Sequence, residues 1–393
     1  MRRHRSYIFA YACDPATGSE PGTGWTWLAA TLEQHDVRLF TDIRNPLGMV
    51  DAKARPLPGH LEIEAVSAGR IGGRIAIDGR LRHLRYLLWV RRAGRRARIL
   101  EAREAPAVAH HLTYAADWLP SPAAWLKATP YIWGPVGGAT YPPLNLLSVF
   151  PTRTIITELM RAILTRLVRR AFGWKTIKRA ALVIAMNADS ERLLRRLRGG
   201  QGVVVEPNVA IDTLALPALK PQSIDAKTAV FVGRLISWKG TSLAIRALEY
   251  TPGWLLHIYG DGPQLLRFRR VAHRVGVANR VYFHGRVERH RVLDALASAD
   301  AFLFPSMHDS NSWAVAEAVS MGLPVVCLNI GGPPALAGPL GVAVAPDRAA
   351  VRNLAIALAG VKERGEPDVR WDVQRIPAVL KEWYAVAESR ALV

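Results

Sequence analysis

Two basic residues, Arg234 and Lys239, follow the short apolar run AVFVG at 229 in the segment VGRLISWKGTSLAIRALE. The run predicts a buried strand, and the residues after Gly240 predict a helix. A loop that places an Arg and a Lys beside a helix N-terminus can bind a diphosphate, because fixed cations and free backbone N–H groups converge there. The same charges would stabilise a departing nucleoside diphosphate. Alone, the pair is more typical of a solvated polar turn.

Two carboxylates, Asp309 and Glu317, follow the apolar run AFLF at 301. Their spacing predicts Asp309 in a loop and Glu317 about one turn inside the next helix. A carboxylate there can accept hydrogen bonds from vicinal hydroxyl groups, and the helix N-terminus offers N–H groups to phosphate or sugar oxygens. The loop residues expected to share this site are Ser310, Asn311 and Ser312. The alternative is that Asp309 or Ser310 only caps the helix and that Glu317 faces solvent.

A third segment, HIYGDGP at 257–263, predicts a strand that runs into a glycine-rich turn. Ligands of open α/β sheets bind at the carboxyl ends of the strands. Gly260 and Gly262 would lie at that edge, together with Gly233 of the preceding loop. A tight turn alone explains such glycines equally well.

Strand-like apolar runs alternate with amphipathic segments along the chain. They begin near residues 7, 37, 107, 131, 181 and 203, and again near 229, 254, 280, 301, 323 and 341. This rhythm predicts an α/β fold with two Rossmann-like, doubly wound domains. The expected domains are residues 1–206 and 228–362, joined by a proline-containing linker at 207–227. The helical segment 363–393 is predicted to pack back on the N-terminal domain.

These motifs together resemble the group 1 family of nucleotide-sugar-dependent glycosyltransferases. The motifs that match in order are GR…KG at 233–240, YGDGP at 259, FHGRV at 283, the Pro-Ser loop at 305, and EAVSMGLPVV with the Gly-Gly pair at 331. The resemblance implies the GT-B arrangement, in which two Rossmann-like domains face an interdomain cleft.

The resemblance also implies roles for single residues. Arg234 and Lys239 would bind the diphosphate. Glu317 would contact the ribose, and the Asp309 loop would contact the transferred sugar. A UDP- or GDP-sugar is implied as the donor substrate, with retention of anomeric configuration and no obligatory metal or cofactor. The family usually has Glu where this chain has Asp309, whose side chain is one methylene shorter, so contacts to the sugar are expected to differ.

The N-terminal half contains fewer candidate binding or catalytic residues. CDPATGSEPGTGW at 13–25 resembles the family's N-terminal loop, where Gly22 and Gly24 would let backbone approach a bound phosphate before a helix predicted over 26–34. His110 and His111 end a strand, and successive strand side chains point to opposite faces. The family commonly has a cleft-facing histidine here, and we predict His111 for this role. A purely structural histidine, or His110 in its place, is the alternative.

Charge is distributed unevenly along the chain. The net charge is +20, and residues 1–200 hold 31 Lys and Arg against 15 Asp and Glu. This excess predicts attraction to an anionic surface. Two segments, 80–98 and 158–180, combine many cations with apolar residues at helical spacing. The predicted apolar stripes are Leu81, Leu84 and Leu88 in the first segment, and Met160, Leu164, Leu167, Val168 and Ala171 in the second.

Such segments predict amphipathic helices on an anionic membrane, or alternatively core-facing helices with a solvated basic face. They match no recognised RNA- or DNA-binding module, which makes nucleic acid an unfavoured partner. The two cysteines, Cys13 and Cys327, form no disulfide framework or metal-ligand cluster, and no apolar stretch approaches the roughly 18 residues of a spanning helix. We therefore expect a cytoplasmic enzyme, peripheral on the inner face of the plasma membrane, with a glycan or lipid-linked acceptor.

A second hypothesis belongs to a different functional class. A non-catalytic binding protein would keep the fold, have an inactive Asp309 site, and dock on membrane or RNA through its basic N-terminal half. Binding of a donor without turnover would support this hypothesis.

Overall fold

The computed structural model describes residues 3–15, 19–44, 58–76, 81–220 and 226–390. The chain divides into two compact units. The first contains Met1–Ala139, Leu164–Ala210 and Val373–Val393, and the second contains Thr140–Ile163 and Ile211–Asp372. Each unit is built on one parallel β-sheet with helices, so the predicted pair of Rossmann-like sheets is confirmed.

The first unit holds a seven-stranded sheet in the order β3-β2-β1-β4-β5-β6-β7, with every neighbouring pair parallel. Its strands are β1 (Arg5–Ala10), β2 (Asp36–Asp42), β3 (Leu61–Val66), β4 (Val108–Thr113), β5 (Tyr131–Val136), β6 (Leu182–Ala185) and β7 (Val203–Val205). The strand order reverses between β1 and β4. A crevice for a ligand is therefore expected beyond the carboxyl ends of these two strands.

The second unit holds a six-stranded parallel sheet in the order β10-β9-β8-β11-β12-β13. Its strands are β8 (Lys227–Val232), β9 (Trp254–Tyr259), β10 (Val281–Gly285), β11 (Ala301–Phe304), β12 (Val325–Leu328) and β13 (Gly341–Val344). Counted within the unit, this is the 3-2-1-4-5-6 order of dinucleotide-binding sheets, and its switch point lies between β8 and β11.

Helices connect these strands. They are α1 (Ser19–Leu32), α2 (Gly69–Gly73), α3 (Arg82–Glu104), α4 (Thr152–Val168), α5 (Trp174–Arg179), α6 (Ala188–Arg198), α7 (Thr241–Ala247), α8 (Leu265–Arg274), α9 (Arg289–Ser298), α10 (Trp313–Ser320), α11 (Pro333–Ala337), α12 (Ala350–Ala359) and α13 (Ile376–Ser389). A π-helical turn, Arg169–Gly173, joins α4 to α5. None of the helices in the described ranges is long and apolar enough to cross a lipid bilayer.

Helix α13 packs within the first unit against α1. The indole rings of Trp383 and Trp27 stack with their centroids 5.2 Å apart. The hydroxyl groups of Tyr384 and Thr31 lie 3.2 Å apart. The last described helix of the chain therefore completes the core of the unit that contains β1.

The start of α1 differs from the prediction. The sequence pattern predicts a helix over 26–34, but the helix begins at Ser19 and ends at Leu32. Pro21 is compatible with a first helical turn because its missing N–H group would have no partner there, and Glu20 favours the positive end of the helix dipole. Gly22 and Gly24 therefore lie inside a helix, and their predicted placement in a preceding loop is wrong.

Gly24 lies where α1 approaches the sheet most closely. A Cβ atom at this position would lie 2.8 Å from both the carbonyl oxygen of Ala12 and Cγ2 of Thr113. We expect Gly24→Ala to lower the free energy of unfolding by about 1–3 kcal/mol, because backbone must move to admit the methyl group. Urea unfolding would measure the change. The control is Gly73→Ala at the end of α2, where a Cβ atom meets nothing within 4 Å; equal stability of both variants would contradict the prediction.

The basic helix α3 also differs from the prediction. Its buried side includes Tyr86, Trp89 and Arg85, whereas Leu81 and Leu84 of the predicted stripe are exposed. The interpretation as a core-facing helix with a solvated basic face therefore fits α3, because its tryptophan lies in the core. Arg80, which opens the predicted segment, lies outside the described residues.

Candidate functional site

Lys239 and Asp309 form an ion pair at the switch point of the second sheet. The Lys239 Nζ atom lies 2.7 Å from Oδ1 and 2.9 Å from Oδ2 of Asp309, so the ammonium group binds both carboxylate oxygens. Lys239 follows β8 and Asp309 follows β11, which are adjacent strands although far apart in sequence. Both side chains are mostly buried. The strand order therefore joins two residues that the sequence analysis predicts from separate motifs.

Gly240 allows this close approach. A single 3₁₀ turn, Ser237–Lys239, ends at Gly240, whose φ of 78° lies in the left-handed region that favours glycine. A Cβ atom at Gly240 would lie 1.9 Å from the carbonyl oxygen of Pro305. Only glycine brings the β8 loop this close to the β11 loop.

The loop after β11 is fixed by bonds to the β8 loop and to the loop after β12. The backbone N–H of Met307 donates to the carbonyl oxygen of Trp238 over 2.7 Å, and the N–H of Gly332 donates to that of Asp309 over 2.9 Å. Ser312 is the N-cap of α10, where its hydroxyl group accepts from the N–H of Val315. The alternative assignment of this cap to Asp309 or Ser310 is therefore wrong. Ser310 and Asn311 lie between Asp309 and the cap.

Glu317 lies one turn inside α10 and is buried, which excludes the alternative in which it faces solvent. Its Oε1 accepts two hydrogen bonds from Arg289, from Nη2 over 2.6 Å and from Nε over 3.0 Å. Burial raises the pKa of Glu317, and the Arg289 charge opposes this rise. No sequence motif marks Arg289, which is the first residue of α9 and has several other cations beside it in the sequence.

The remaining predicted residues of this unit lie at the same edge of the sheet. Arg234 is exposed directly after β8. A Cβ atom at Gly260 would lie 2.1 Å from the carbonyl oxygen of Gly233, and one at Gly262 would lie 2.6 Å from that of Leu235. These glycines let the loops after β8 and β9 touch. Contact with a ligand stays a prediction for Gly233, Gly260 and Gly262.

His110 and His111 lie on β4 in the first unit, and both are fully buried. His110 Nε2 lies 2.9 Å from the carbonyl oxygen of Gly134, and His111 Nε2 lies 3.3 Å from the Tyr86 hydroxyl oxygen. Burial lowers the pKa of His110 to about 4 and that of His111 to about 3. Both imidazoles are therefore neutral near pH 7. The role predicted for His111 toward an acceptor stays a prediction.

Two residues that no sequence motif marks, Glu20 and Tyr114, meet at the end of β4. Glu20 of α1 accepts a hydrogen bond over 2.5 Å from the backbone N–H of Tyr114. Tyr114 has a φ of 59°, which is uncommon for a residue with a side chain. The Tyr114 ring stacks on Tyr86 with a centroid distance of 5.2 Å. Residues in uncommon backbone conformations cluster at functional sites, so the end of β4 is a further candidate binding position.

No cluster of three or more His, Cys, Asp or Glu side chains suited to a metal ion occurs among the residues that the structure describes. Arg234 and Lys239 are the basic residues of the loop after β8 that could meet an anionic ligand. The chemistry that this site can perform is therefore recognition of a diphosphate by cations and of hydroxyl groups by carboxylates.

Comparison with known proteins identifies relatives of this chain. Residues 220–371 match the family model described as glycosyl transferases group 1. A D-inositol 3-phosphate glycosyltransferase from Xylanimonas cellulosilytica is 33% identical over an alignment of 174 residues that covers 39% of this chain and 41% of the relative. The matched segment thus spans less than half of that relative's length.

Solved structures extend the likeness to nearly the whole chain. Sucrose-phosphate synthase from Thermosynechococcus elongatus aligns over 98% of both chains with a TM-score of 0.61 and 17% identity. The Anabaena protein HepE, in complex with UDP-glucose, aligns over 98% of this chain and 100% of its own with a TM-score of 0.57 and 14% identity. At these identities, the likeness describes the fold.

Proposed function

We propose, from the premise that residues 220–371 form a domain of the group 1 glycosyltransferase family, that this chain transfers a sugar from a nucleoside diphosphate sugar to a hydroxyl group of a glycan or lipid-linked acceptor. The Lys239–Asp309 pair at the switch point of the second sheet carries this proposal. It provides a cation for a diphosphate and a carboxylate for sugar hydroxyl groups.

Donor binding would exchange the partners within this pair. The Lys239 ammonium group would leave Asp309 and bind a phosphate oxygen, and the exposed Arg234 would add a second cation. Asp309 would then be free to accept hydrogen bonds from hydroxyl groups of the sugar. The donor would therefore replace one charge-assisted contact by several, which favours binding despite the pair in the unliganded protein.

The proposed reaction retains the anomeric configuration. A bond forms between the acceptor hydroxyl oxygen and the anomeric carbon, and the bond between that carbon and the diphosphate oxygen breaks. The acceptor proton passes to the leaving diphosphate, so no protein side chain is needed as a base. Lys239 and Arg234 stabilise the negative charge that develops on the leaving group.

Glu317 would bind the ribose of the donor. Its Oε1 is already held by Arg289, which fixes the carboxylate in one orientation. A fixed carboxylate can accept hydrogen bonds from two vicinal hydroxyl groups. The UDP-glucose complex of HepE makes uridine nucleotides the first donors to test, and guanosine nucleotides the second.

The purified protein should be mixed with UDP-glucose, UDP-galactose, UDP-N-acetylglucosamine and GDP-mannose, and the released nucleoside diphosphate measured. Thermal shift with UDP and GDP gives a readout that does not depend on an acceptor. We expect at least one donor to be hydrolysed slowly and its nucleotide to stabilise the protein. Stabilisation without any release would favour the non-catalytic alternative, and neither effect with any nucleotide would refute the proposal.

We expect Glu317→Gln to weaken UDP or GDP binding by about tenfold to 100-fold, because hydrogen bonds to a charged acceptor contribute roughly 1.5–3 kcal/mol. Isothermal titration calorimetry of the nucleotide identified by the donor screen measures the change. The matched control is Glu363→Gln, an exposed carboxylate of the same unit, which should bind normally. An unchanged dissociation constant in Glu317→Gln would rule out the ribose contact.

We place the enzyme in the cytoplasm, on the inner face of the plasma membrane. Support comes from the excess of cations in residues 1–200, which suits anionic lipid headgroups. An acceptor linked to lipid would be presented at that surface. Salt-sensitive binding to vesicles of phosphatidylglycerol, undiminished by competing RNA, is the expected result; preferential binding to RNA would contradict this location.

A further inference from the structure

Helix α4 exposes its apolar residues along one face. The exposed fractions of the side chains on this face lie between 48% and 66%, which leaves about half or more of each in solvent; they are Ile156, Leu159, Met160, Ile163, Leu164 and Leu167. Their spacing of three and four residues places them on one stripe of the helix. We name this stripe the α4 face.

The two buried residues of α4 are polar. Glu158 and Thr165 are buried, and Glu158 binds Arg161 with an Oε2 to Nη2 distance of 2.7 Å. Immediately after the helix, Arg169 binds the fully buried Asp117. A helix on a globular protein normally buries its apolar side. The orientation of α4 is the reverse, and the ion pair between Arg169 and Asp117 anchors the end of the helix in this orientation.

The exposed apolar surface continues beyond α4. Phe172, in the π-helical turn, and Trp174, at the start of α5, are exposed. Gly173 between them is buried, and a Cβ atom there would lie 2.7 Å from the carbonyl oxygen of Asp117. This close contact holds the turn against the protein while the two aromatic rings point outwards. Tryptophan is enriched where an apolar phase meets water.

Cations surround the α4 face. The exposed basic residues of 152–179 are Arg153, Arg166, Arg170, Lys175, Lys178 and Arg179. The single acid in this range, Glu158, is buried. All exposed charged side chains of residues 152–179 are therefore basic, which suits a partner that combines an apolar layer with anionic groups at its surface.

We propose that the α4 face inserts into the headgroup and acyl boundary of an anionic bilayer, with the surrounding cations bound to lipid phosphates. This deepens the proposed membrane location by naming the surface that docks. An interfacial helix needs an apolar side that lies in the lipid and basic residues beside it. A second copy of this chain is a poorer occupant, because pairing two such faces would bring their cations together.

Flotation with lipid vesicles tests the proposal. The full chain should float with vesicles of phosphatidylcholine mixed with phosphatidylglycerol and much less with phosphatidylcholine alone. The double variant Ile163→Glu, Leu167→Glu should lose vesicle binding by about tenfold or more, because charged side chains then replace apolar ones in the lipid. The double variant Arg170→Gln, Lys175→Gln should lose mainly the preference for phosphatidylglycerol.

The matched control is Ile356→Glu on α12, an equally exposed isoleucine on another helix, which should float like the unchanged protein. Circular dichroism should show that all variants are folded. Donor hydrolysis without vesicles should persist in the α4 variants, so that failure of docking and failure of the proposed activity are separate results. Equal flotation of the α4 variants and the control would overturn the proposal. A dimer that dissociates in the α4 variants, without vesicle binding, would also overturn it.

Discussion

Replacement of Lys239 by methionine is expected to lower the rate of nucleoside diphosphate release by about 100- to 1000-fold. Lys239 is the cation that lies at the switch point, where a departing diphosphate would develop its charge. Methionine keeps an apolar stem above the Phe304 ring, from which the Lys239 Nζ atom lies 5.5 Å, and removes the charge. The effect should fall mainly on kcat, because the leaving group carries more charge in the transition state than in the bound donor.

The measurement is steady-state nucleotide release with the best donor of the screen. Lys227→Met is a matched control, since Lys227 begins β8 and its Nζ atom lies 5.5 Å from the Trp254 ring, at the amino end of the same strand. Lys239→Arg, which keeps a positive charge, should recover part of the rate. A Lys239→Met enzyme with a rate close to that of Lys227→Met would show that Lys239 does not stabilise the leaving group. Asp309 loses its partner in Lys239→Met, which could destabilise the protein. Unfolding curves of this variant should therefore be measured, so that a lower rate is not caused by unfolding.

The strands could be predicted from the sequence where apolar residues dominate them. Strand β3, with the sequence LEIEAV, escapes this pattern because Glu62 and Glu64 occupy alternate positions. Their partners come from other strands and from α3. Arg5 binds Glu62 over 2.9 Å, and Arg96 binds Glu64 over 2.9 Å. The acidic residues of this edge strand are explained only by their ion pairs with neighbouring elements, which the local sequence does not show.

The candidate site also contains features that the sequence predicts and features that only the structure shows. Lys239 and Asp309 are predictable singly, because each follows an apolar run and precedes a helix. Their ion pair is not, because it depends on β8 and β11 being neighbours, which no local pattern encodes. The role of Arg289 cannot be predicted from the sequence for a different reason. The segment RVERHR contains several cations, and no periodic pattern distinguishes one from another. Only the structure shows that Arg289 is the cation that binds the buried Glu317.

The sequence pattern predicts Arg85 among the membrane-binding cations of segment 80–98, but the structure gives Arg85 another role. Its guanidinium Nη2 lies 2.6 Å from both Oδ1 and Oδ2 of Asp42 at the end of β2. Both side chains are almost completely buried. Arg85 Nη1 also donates to the carbonyl oxygen of Gly72 over 2.6 Å. One arginine thus ties α3 to the sheet and to α2, so its charge is not available to lipid.

We expect Asp42→Ala to lower the free energy of unfolding of the first unit by about 3–5 kcal/mol, because it leaves the Arg85 charge buried without its carboxylate. Urea unfolding followed by tryptophan fluorescence measures this loss. The double variant Asp42→Ala, Arg85→Met should be more stable than Asp42→Ala, since removal of both charges also removes the cost of burying one alone. Arg91→Ala, at an exposed position of the same helix, should change stability by no more than about 0.5 kcal/mol. A double variant no more stable than the single one would mean that Arg85 finds water or another partner, and the pair would then contribute little to holding α3 on the sheet.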